Sequence, residues 1–414
     1  MSKHVPDRGL FVYPWDLLGE GVAPTLSALK NDTLCSVVGL NCSYHSGRFF
    51  HPRHPEGGTL PYFRGRLNHR LGGAVSFRPM AELYGDAPLP PVEEPLVEAG
   101  VLAEARDACR ELGLGFNLWT VVLHNSTLGG AHPELCEQNV FGDVYRFALN
   151  PAHPSVRHYA RALVEDICRQ FQPDTIMLES PTYLGFVHGD HHELILANLD
   201  ELTQLLLSLG FSEASRRGAE QHGCKVEVLE HEVRDLLAVL IEDERGALSH
   251  EFRYGEPVSL LLDYPEVYSY LRYRLDVVTS LLAELREVAA GYGVKVGVTS
   301  SIFTRPASRA WMEGTSLRAA SQAVDALLSV SYFPDPAAVR GDIRWVKTLI
   351  EGRPFDVALD AGHPDALSEE NLVAKARIAA AEGAGAVFYY NYGLLTRRRL
   401  GWVESANRAL LEGA

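Results

Sequence analysis

Long apolar runs are missing from this chain. No stretch approaches the roughly 18 continuous apolar residues of a membrane-spanning helix, and the first residues, Met1-Ser2-Lys3-His4, carry no apolar signal segment. A cytoplasmic location with no membrane partner is the default expectation. Positive charge is in deficit: 38 Lys and Arg stand against 53 Asp and Glu, a formal net charge of -15. That balance argues against a nucleic-acid partner, because a phosphate backbone is held by cationic surface. Cysteine is scarce and scattered. The six residues Cys35, Cys42, Cys109, Cys136, Cys168 and Cys224 form no Cys-x-x-Cys pair, so free thiols in a reducing compartment are expected rather than a disulfide framework. Also absent are a GxxxxGK[ST] loop, a GxGxxG turn after a strand, a GxSxG elbow and an HExxH helix. Nucleophilic Ser or Cys catalysis therefore has no motif behind it, and no cofactor or metal is expected. There is no internal repeat at a 20–50-residue period.

What the chain has instead is a rhythm. Eight short apolar runs, at 10–14, 35–41, 115–122, 175–179, 294–299, 326–332, 355–360 and 386–392, alternate mostly with helix-like stretches. Strands that alternate with helices predict a parallel sheet, and eight such units close a (β/α)8 barrel. A barrel takes ~250 residues, so the 414 residues here read as one domain over 1–414 with its surplus in two insertions. The first, 42–94 after the second strand, is rich in His, Arg, Gly, Pro and aromatics. The second, 181–257 after the fourth strand, has helical stretches near 192–209, 214–222 and 227–244, ahead of a barrel helix at about 264–291. Further helices are predicted near 23–31, 98–112, 155–171, 342–351, 368–383 and 402–411, the fifth of these opening on a loose capping box at Ser368.

In a (β/α)8 barrel the carboxyl ends of the strands carry the active site. The residues ending the runs are therefore the candidates: Asp16, Asn41, His124, Glu179, Thr299, Tyr332, Asp360 and Asn391. Glu179 leads, since a desolvated carboxyl group there has a raised pKa and suits a general acid. Asp360 and then Asp16 follow as the second carboxylate that glycoside hydrolysis requires, although Asp360 could equally cap the loop before Ser368, and for Asp16 a helix-leading or loop-bracing role is the expectation that comes first. Trp15, Tyr44, Trp119, Tyr183, Tyr332, Tyr390 and Tyr392 offer aromatic faces that stack on the apolar CH faces of sugars. The same residues would serve as core in the top layer of any barrel. Asn41, His45, His124, Asn125, His188 and Asn391 are candidate substrate hydrogen-bonders. The cluster His188-Gly189-Asp190-His191-His192-Glu193 raises a metal hypothesis, but adjacent histidines rarely face one ion, and loop-structuring or substrate-contacting roles are expected instead.

Three segments resemble glycoside-hydrolase-like (β/α)8 proteins, in particular poorly characterised bacterial barrels with a glycosidase label. They are the stretch from Asn150-Pro151 through Asp174-Thr175-Ile176 to Leu178-Glu179, the run Tyr44-His45-Ser46-Gly47, and the ending Tyr389-Tyr390-Asn391-Tyr392-Gly393. In those barrels a Cys-x-x-Cys-like element often follows strand four. The matching Phe211-Ser212-Glu213-Ala214-Ser215 has serines there, so a metal held by such cysteines is not implied. By analogy with retaining barrel glycosidases, the resemblance implies Glu179 as acid/base and Asp360 as nucleophile, acting on a small carbohydrate or glycoside. Those enzymes have Asn-Glu at strand four and Glu at strand seven, where this chain has Leu178-Glu179 and an Asp. Two other readings stay open: a metal-assisted sugar isomerase, epimerase or lyase using residues 188–193, and a non-catalytic sugar-binding barrel. Homo-oligomerisation is open as well.

Overall fold

A computed structural model describes residues 5–53, 67–70, 72–187, 195, 197, 199–242 and 256–413. Eight parallel strands form the centre: β1 (Asp7–Val12), β2 (Val37–Tyr44), β3 (Gly115–Val121), β4 (Thr175–Glu179), β5 (Lys295–Thr299), β6 (Ala326–Val330), β7 (Phe355–Asp360) and β8 (Ala386–Tyr390). Each pairs with the next, and β1 pairs with both β2 and β8, so the sheet closes on itself. The strands are buried on both faces, which is why they read as near-continuous apolar runs rather than alternating ones. The expected (β/α)8 barrel is the fold.

Eight helices ring the strands: α1 (Val22–Thr33), α2 (Val101–Leu112), α3 (Pro154–Phe171), α4 (Pro265–Ala290), α5 (Leu317–Ala323), α6 (Pro336–Ile350), α7 (Glu369–Ala381) and α8 (Arg397–Glu412). Several starts are set by local chemistry that apolar periodicity does not show. Helix α6 begins six residues before the expected 342, because Asp335 caps the backbone N–H of Ala337 and Pro336 takes the first turn. Helix α8 begins at a Thr396 cap, ahead of a polar first turn, Arg397-Arg398-Arg399. Ser368 caps α7 through the N–H of Asn371, as the capping box predicted.

Strand ends depart from expectation in ways that move candidate residues. β1 stops at Val12, and a short helix, Pro14–Glu20, takes Trp15 and Asp16 away from the barrel mouth. β6 stops at Val330 and β8 at Tyr390, which leaves Tyr332, Asn391 and Tyr392 in the segments that follow.

After β2, an antiparallel arm (Gly47–Phe50 with Leu67–Arg70) projects, and Ala74–Val75 pairs with the end of β2. A second antiparallel hairpin, Cys136–Gln138 with Val144–Leu149, sits between β3 and α3 where no element was expected. Beyond β4 the helices Glu201–Leu207, Glu213–Gln221, Val226–Glu242 and Glu256–Asp263 precede α4. They build an apolar cluster of their own around Leu229, Val233, Leu237 and Tyr270, beside the barrel core. All six cysteines are buried and free of disulfides. No described helix is long and apolar enough to cross a membrane.

Barrel closure depends on glycine in β1. A Cβ on Gly9 would lie 2.2 Å from the ring of Phe388 on β8, inside the wall that seals the ring. We expect Gly9→Ala to destabilise the fold by about 1–3 kcal/mol through overpacking. Gly130→Ala, in the helix Ser126–Ala131 with open space around its Cβ position, should be neutral or stabilising by about 0.4–1 kcal/mol. Urea unfolding of the two variants against the parent checks both signs.

Candidate active site

Closing the ring brings eight strand ends to one mouth. A cavity of about 270 Å³ opens there, and every strand lines it: Phe11, Tyr44, Trp119, Met177 and Glu179, Thr299, Leu328 and Val330, Asp360, and Tyr390. The loops add His45, Ile302, Arg305, Tyr332 and Asp365. Three larger depressions, about 860 Å³, 630 Å³ and 430 Å³, lie elsewhere: the first among the start of α3, the β4 insertion and α4, the second between the β4 insertion, α4 and residues 309–312, the third beside the N-terminal start of β7, and none reaches the carboxyl end of a strand. Volume alone would favour them. The strand-end cavity is the candidate because it alone of the four gathers carboxyl groups, Glu179 and Asp360, at the functional face of the barrel.

Glu179 ends β4 at 7% exposure. Its Oε2 accepts a hydrogen bond from Trp119 Nε1 on β3 at 2.6 Å. Burial pushes its pKa up to about 7, with the Trp119 bond pulling the other way and the charge of Glu313 adding to the rise. Glu313 is itself buried and structural. Its carboxylate accepts hydrogen bonds from Ser301 Oγ (3.0 Å), Phe303 N (2.9 Å), Thr304 N (2.7 Å) and Thr304 Oγ1 (2.8 Å), which fixes the loop after β5.

Asp360 ends β7. Burial raises its pKa to about 6; the Gly362 N–H, donating at 2.5 Å, opposes that rise, as do the charges of Lys375 and Arg305, while Asp365 adds to it. The two carboxyl groups share neighbours: the charges of both Glu179 and Asp360 hold up the pKa of Tyr332 and of Tyr390, after burial as the main cause.

Aromatic rings wall the cavity. Tyr13 Oη donates to Tyr44 Oη at 3.0 Å and lies 2.6 Å from Tyr390 Oη, a phenol chain that links β1, β2 and β8. Trp119 meets Tyr44 and Tyr390 edge-on, with centroids 5.3 and 6.0 Å apart. His45 is stacked between Tyr44 and His124, 4.2 Å from each. The Arg305 guanidinium lies over Tyr332 at 5.3 Å.

The cavity thus gathers Glu179, Asp360, Tyr44, His45, Trp119, Thr299, Tyr332 and Tyr390 from the residues singled out in the sequence. The others do not line it. Asp16 accepts from Tyr13 N at 3.1 Å and approaches His51 Nδ1 at 3.5 Å, so it braces its own helix start, and burial raises its pKa to about 7. Trp15 is fully buried, stacked on Tyr13 beneath the guanidinium of Arg70. Asn41 spends its amide on the carbonyls of Ser43 and Trp119 at the bulge in β2. His124 stacks behind His45. Asn125 caps the helix Ser126–Ala131 through Leu128 N. Tyr183 packs under Arg274. Asn391 caps the turn Tyr392–Leu394 through Gly393 N, and Tyr392 donates to Glu20 beneath Arg53. His188, with the rest of 188–193, lies outside the described residues. Among the described residues no group of three or more His, Cys, Asp and Glu is placed to hold a metal ion.

Sequence reasoning missed Arg305 and Asp365, both in loops beyond strand ends. The only sequence signal for Asp365 was its place in the short loop between Asp360 and the Ser368 cap. Arg305 carried none.

No protein-family model and no curated protein matches the chain. Solved structures do resemble it. The PgaB (BpsB) glycoside hydrolase domain from Bordetella bronchiseptica is 14% identical with a TM-score of 0.54, over 94% of this chain and 95% of that one. The catalytic domain of β-amylase from Paenibacillus polymyxa is 10% identical with a TM-score of 0.55, over 99% and 100%. The β-galactosidase from the psychrophilic Marinomonas ef1 is 13% identical with a TM-score of 0.55, over 93% of this chain and 54% of that enzyme, so this chain spans about half its length. At these identities the likeness shows a shared fold, the closed (β/α)8 barrel of those glycoside hydrolases.

Asp16 supplies a test of these placements. Asp16→Ala should cost about 0.5–2 kcal/mol of stability, the usual loss of a helix-start cap, read as a lower urea midpoint. It should leave the titrations of Glu179 and Asp360 where they are.

Proposed function

We propose that this chain is a glycoside hydrolase acting on a small carbohydrate or glycoside, with Glu179 as general acid and Asp360 as its ionised partner. One observation carries the reading: two carboxyl groups, the buried Glu179 and the half-buried Asp360, line the same strand-end cavity, and desolvation raises both, Glu179 to about 7 and Asp360 to about 6. Two acids whose environments separate their pKa values are the arrangement in which one donates a proton while the other is charged. Near neutral pH Glu179 keeps a substantial protonated fraction and can protonate the departing glycosidic oxygen. Asp360 is largely ionised and supplies negative charge to an oxocarbenium-like transition state, as nucleophile or as base for water.

The walls suit the same substrate class. Trp119, Tyr44, Tyr332 and Tyr390 present ring faces and edges for the apolar faces of a sugar, and His45 and Arg305 present donors for its oxygens. At about 270 Å³ the cavity falls just below the ~300–1,000 Å³ of pockets that bury drug-sized ligands, which fits a single sugar ring. The non-catalytic sugar-binding alternative is disfavoured because a second acid stands in the cavity with Glu179. The metal-assisted alternative rests on residues 188–193 and gains no support from the described residues.

The expected activity is release of nitrophenol from at least one member of a panel of 4-nitrophenyl glycosides. Glu179→Gln and Asp360→Asn should each lower kcat/KM by roughly 10²–10⁴, the span of general acid–base contributions. The pH profile of kcat/KM should be bell-shaped. It falls below about 6 as Asp360 takes up a proton and above about 7 as Glu179 loses one. A Glu179→Gln enzyme with full activity would remove the mechanism.

A further inference from the structure

Behind the cavity, α7 carries a lysine with no exposure to solvent. Lys375 is 0% exposed, among the largest fully buried side chains of the protein. Lysine is almost never buried to that extent without a partner, because desolvating an ammonium group is costly. Its partners are two main-chain carbonyls: Nζ donates to Asp365 O at 2.7 Å and to Phe333 O at 3.3 Å. Phe333 follows Tyr332 beyond β6, and Asp365 lies five residues beyond the end of β7, so one side chain ties together the loop that carries Tyr332 and the loop that leaves β7 at Asp360 and carries Asp365 to the cavity wall.

A neutral amide could make such ties. Asn371, one turn earlier on α7, already bonds Pro334 O at 2.9 Å without any charge. Arg399 holds the other side of the same loop through Ala361 O (2.7 Å) and Ala366 O (3.2 Å). The distinguishing property of Lys375 is therefore a positive charge kept out of water, bonded to the backbone of the loop that follows Asp360 and within the influence of Asp365 and Asp360.

We propose that Lys375 is a positioning residue of the site: its buried ammonium group sets the loops after β6 and β7 and, through its charge, holds Asp360 as the anion. The proposal rests on Asp360 being the ionised partner in the reading above. The groups that bear on Asp360 are Gly362 N–H and Asp365 on its own loop, Arg305 on the loop after β5, Tyr332 after β6, Tyr390 at the end of β8, and Lys375 on α7. Of the two cations among them, Arg305 is exposed on the loop after β5 and Lys375 is buried on α7. Solvent and salt screen the first far more than the second. The anions Asp365 and Asp360 act on Lys375 in turn, opposing the burial that brings its own pKa down to about 8. Lys375 therefore remains charged across the range in which Asp360 titrates.

The test reads the carboxyl group directly, so it needs no substrate and its outcome is separate from that of the activity assays. Full-length protein labelled with ¹³C at the aspartate carboxyl carbon is titrated by NMR, with the Asp360 signal identified by its loss in Asp360→Asn. The parent signal should titrate near 6. In Lys375→Met it should move up by about one pH unit, the lower end of the effect of a neighbouring opposite charge, while Lys375→Arg should return it to the parent value. An unmoved titration in Lys375→Met overturns the proposal, and so does an equal shift in Lys375→Arg, which would mark the effect as packing. Should Lys375→Met not fold, the reciprocal measurement decides. The Lys375 ammonium group, followed by ¹⁵N NMR and identified by its absence from Lys375→Arg, should titrate lower in Asp360→Asn than in the parent, and an unchanged titration there overturns the proposal.

Discussion

Desolvation of acids at the barrel mouth is the constraint from which the chemistry follows. Closing eight parallel strands into a ring brings their carboxyl ends to one mouth, and the side chains and loops gathered there take Glu179 out of water. For Glu179 the move from an ordinary 4.5 to about 7 corresponds to a penalty of roughly 3 kcal/mol on the ionised form. That penalty stands after the Trp119 hydrogen bond has returned something on the order of 1.5–3 kcal/mol, the worth of a bond to a charged group. Burial wins over hydrogen bonding at this residue, and an acid that would be charged on the surface keeps its proton near neutrality.

Most of the polar structure around the mouth holds that arrangement still. Glu313 gathers the loop after β5, Asp342 receives Ser331 Oγ at 2.8 Å behind β6, and the chain of Tyr44, Tyr13 and Tyr390 hydroxyls joins the ends of the neighbouring strands β2, β1 and β8. Asp16, also raised to about 7 by burial, shows that a perturbed acid is not by itself a functional one. What separates it from Glu179 is position: its oxygens are committed to backbone at the start of a helix, whereas Glu179 lines the cavity. A shifted titration and a place in the cavity are needed together.

The barrel was legible because its strands, covered on both faces, leave near-continuous apolar runs, and because Glu179 and Asp360 stand as polar residues where two such runs stop. The connections were less legible. Cys136–Gln138 is too short to show alternation, and α6 and α8 begin on caps and polar turns that apolar periodicity passes over. Aromatic candidates were the least secure: Trp15, Tyr183 and Tyr392 look like Trp119, Tyr332 and Tyr390 in the sequence, and only the early end of β1 and the packing under Arg70, Arg274 and Arg53 separate core from cavity. Arg305, Asp365 and Lys375 come together from a loop, another loop and a helix, and nothing local in the sequence marks such a convergence.

The account stands on Glu179 holding its proton far above the range of an ordinary carboxylic acid. An infrared titration that isolates the Glu179 carboxyl by difference from the Glu179→Gln protein measures this directly. The account predicts a midpoint near 7, with the protonated carbonyl band persisting at neutral pH. A midpoint near the ordinary 4.5, with the group fully ionised at neutrality, would contradict it.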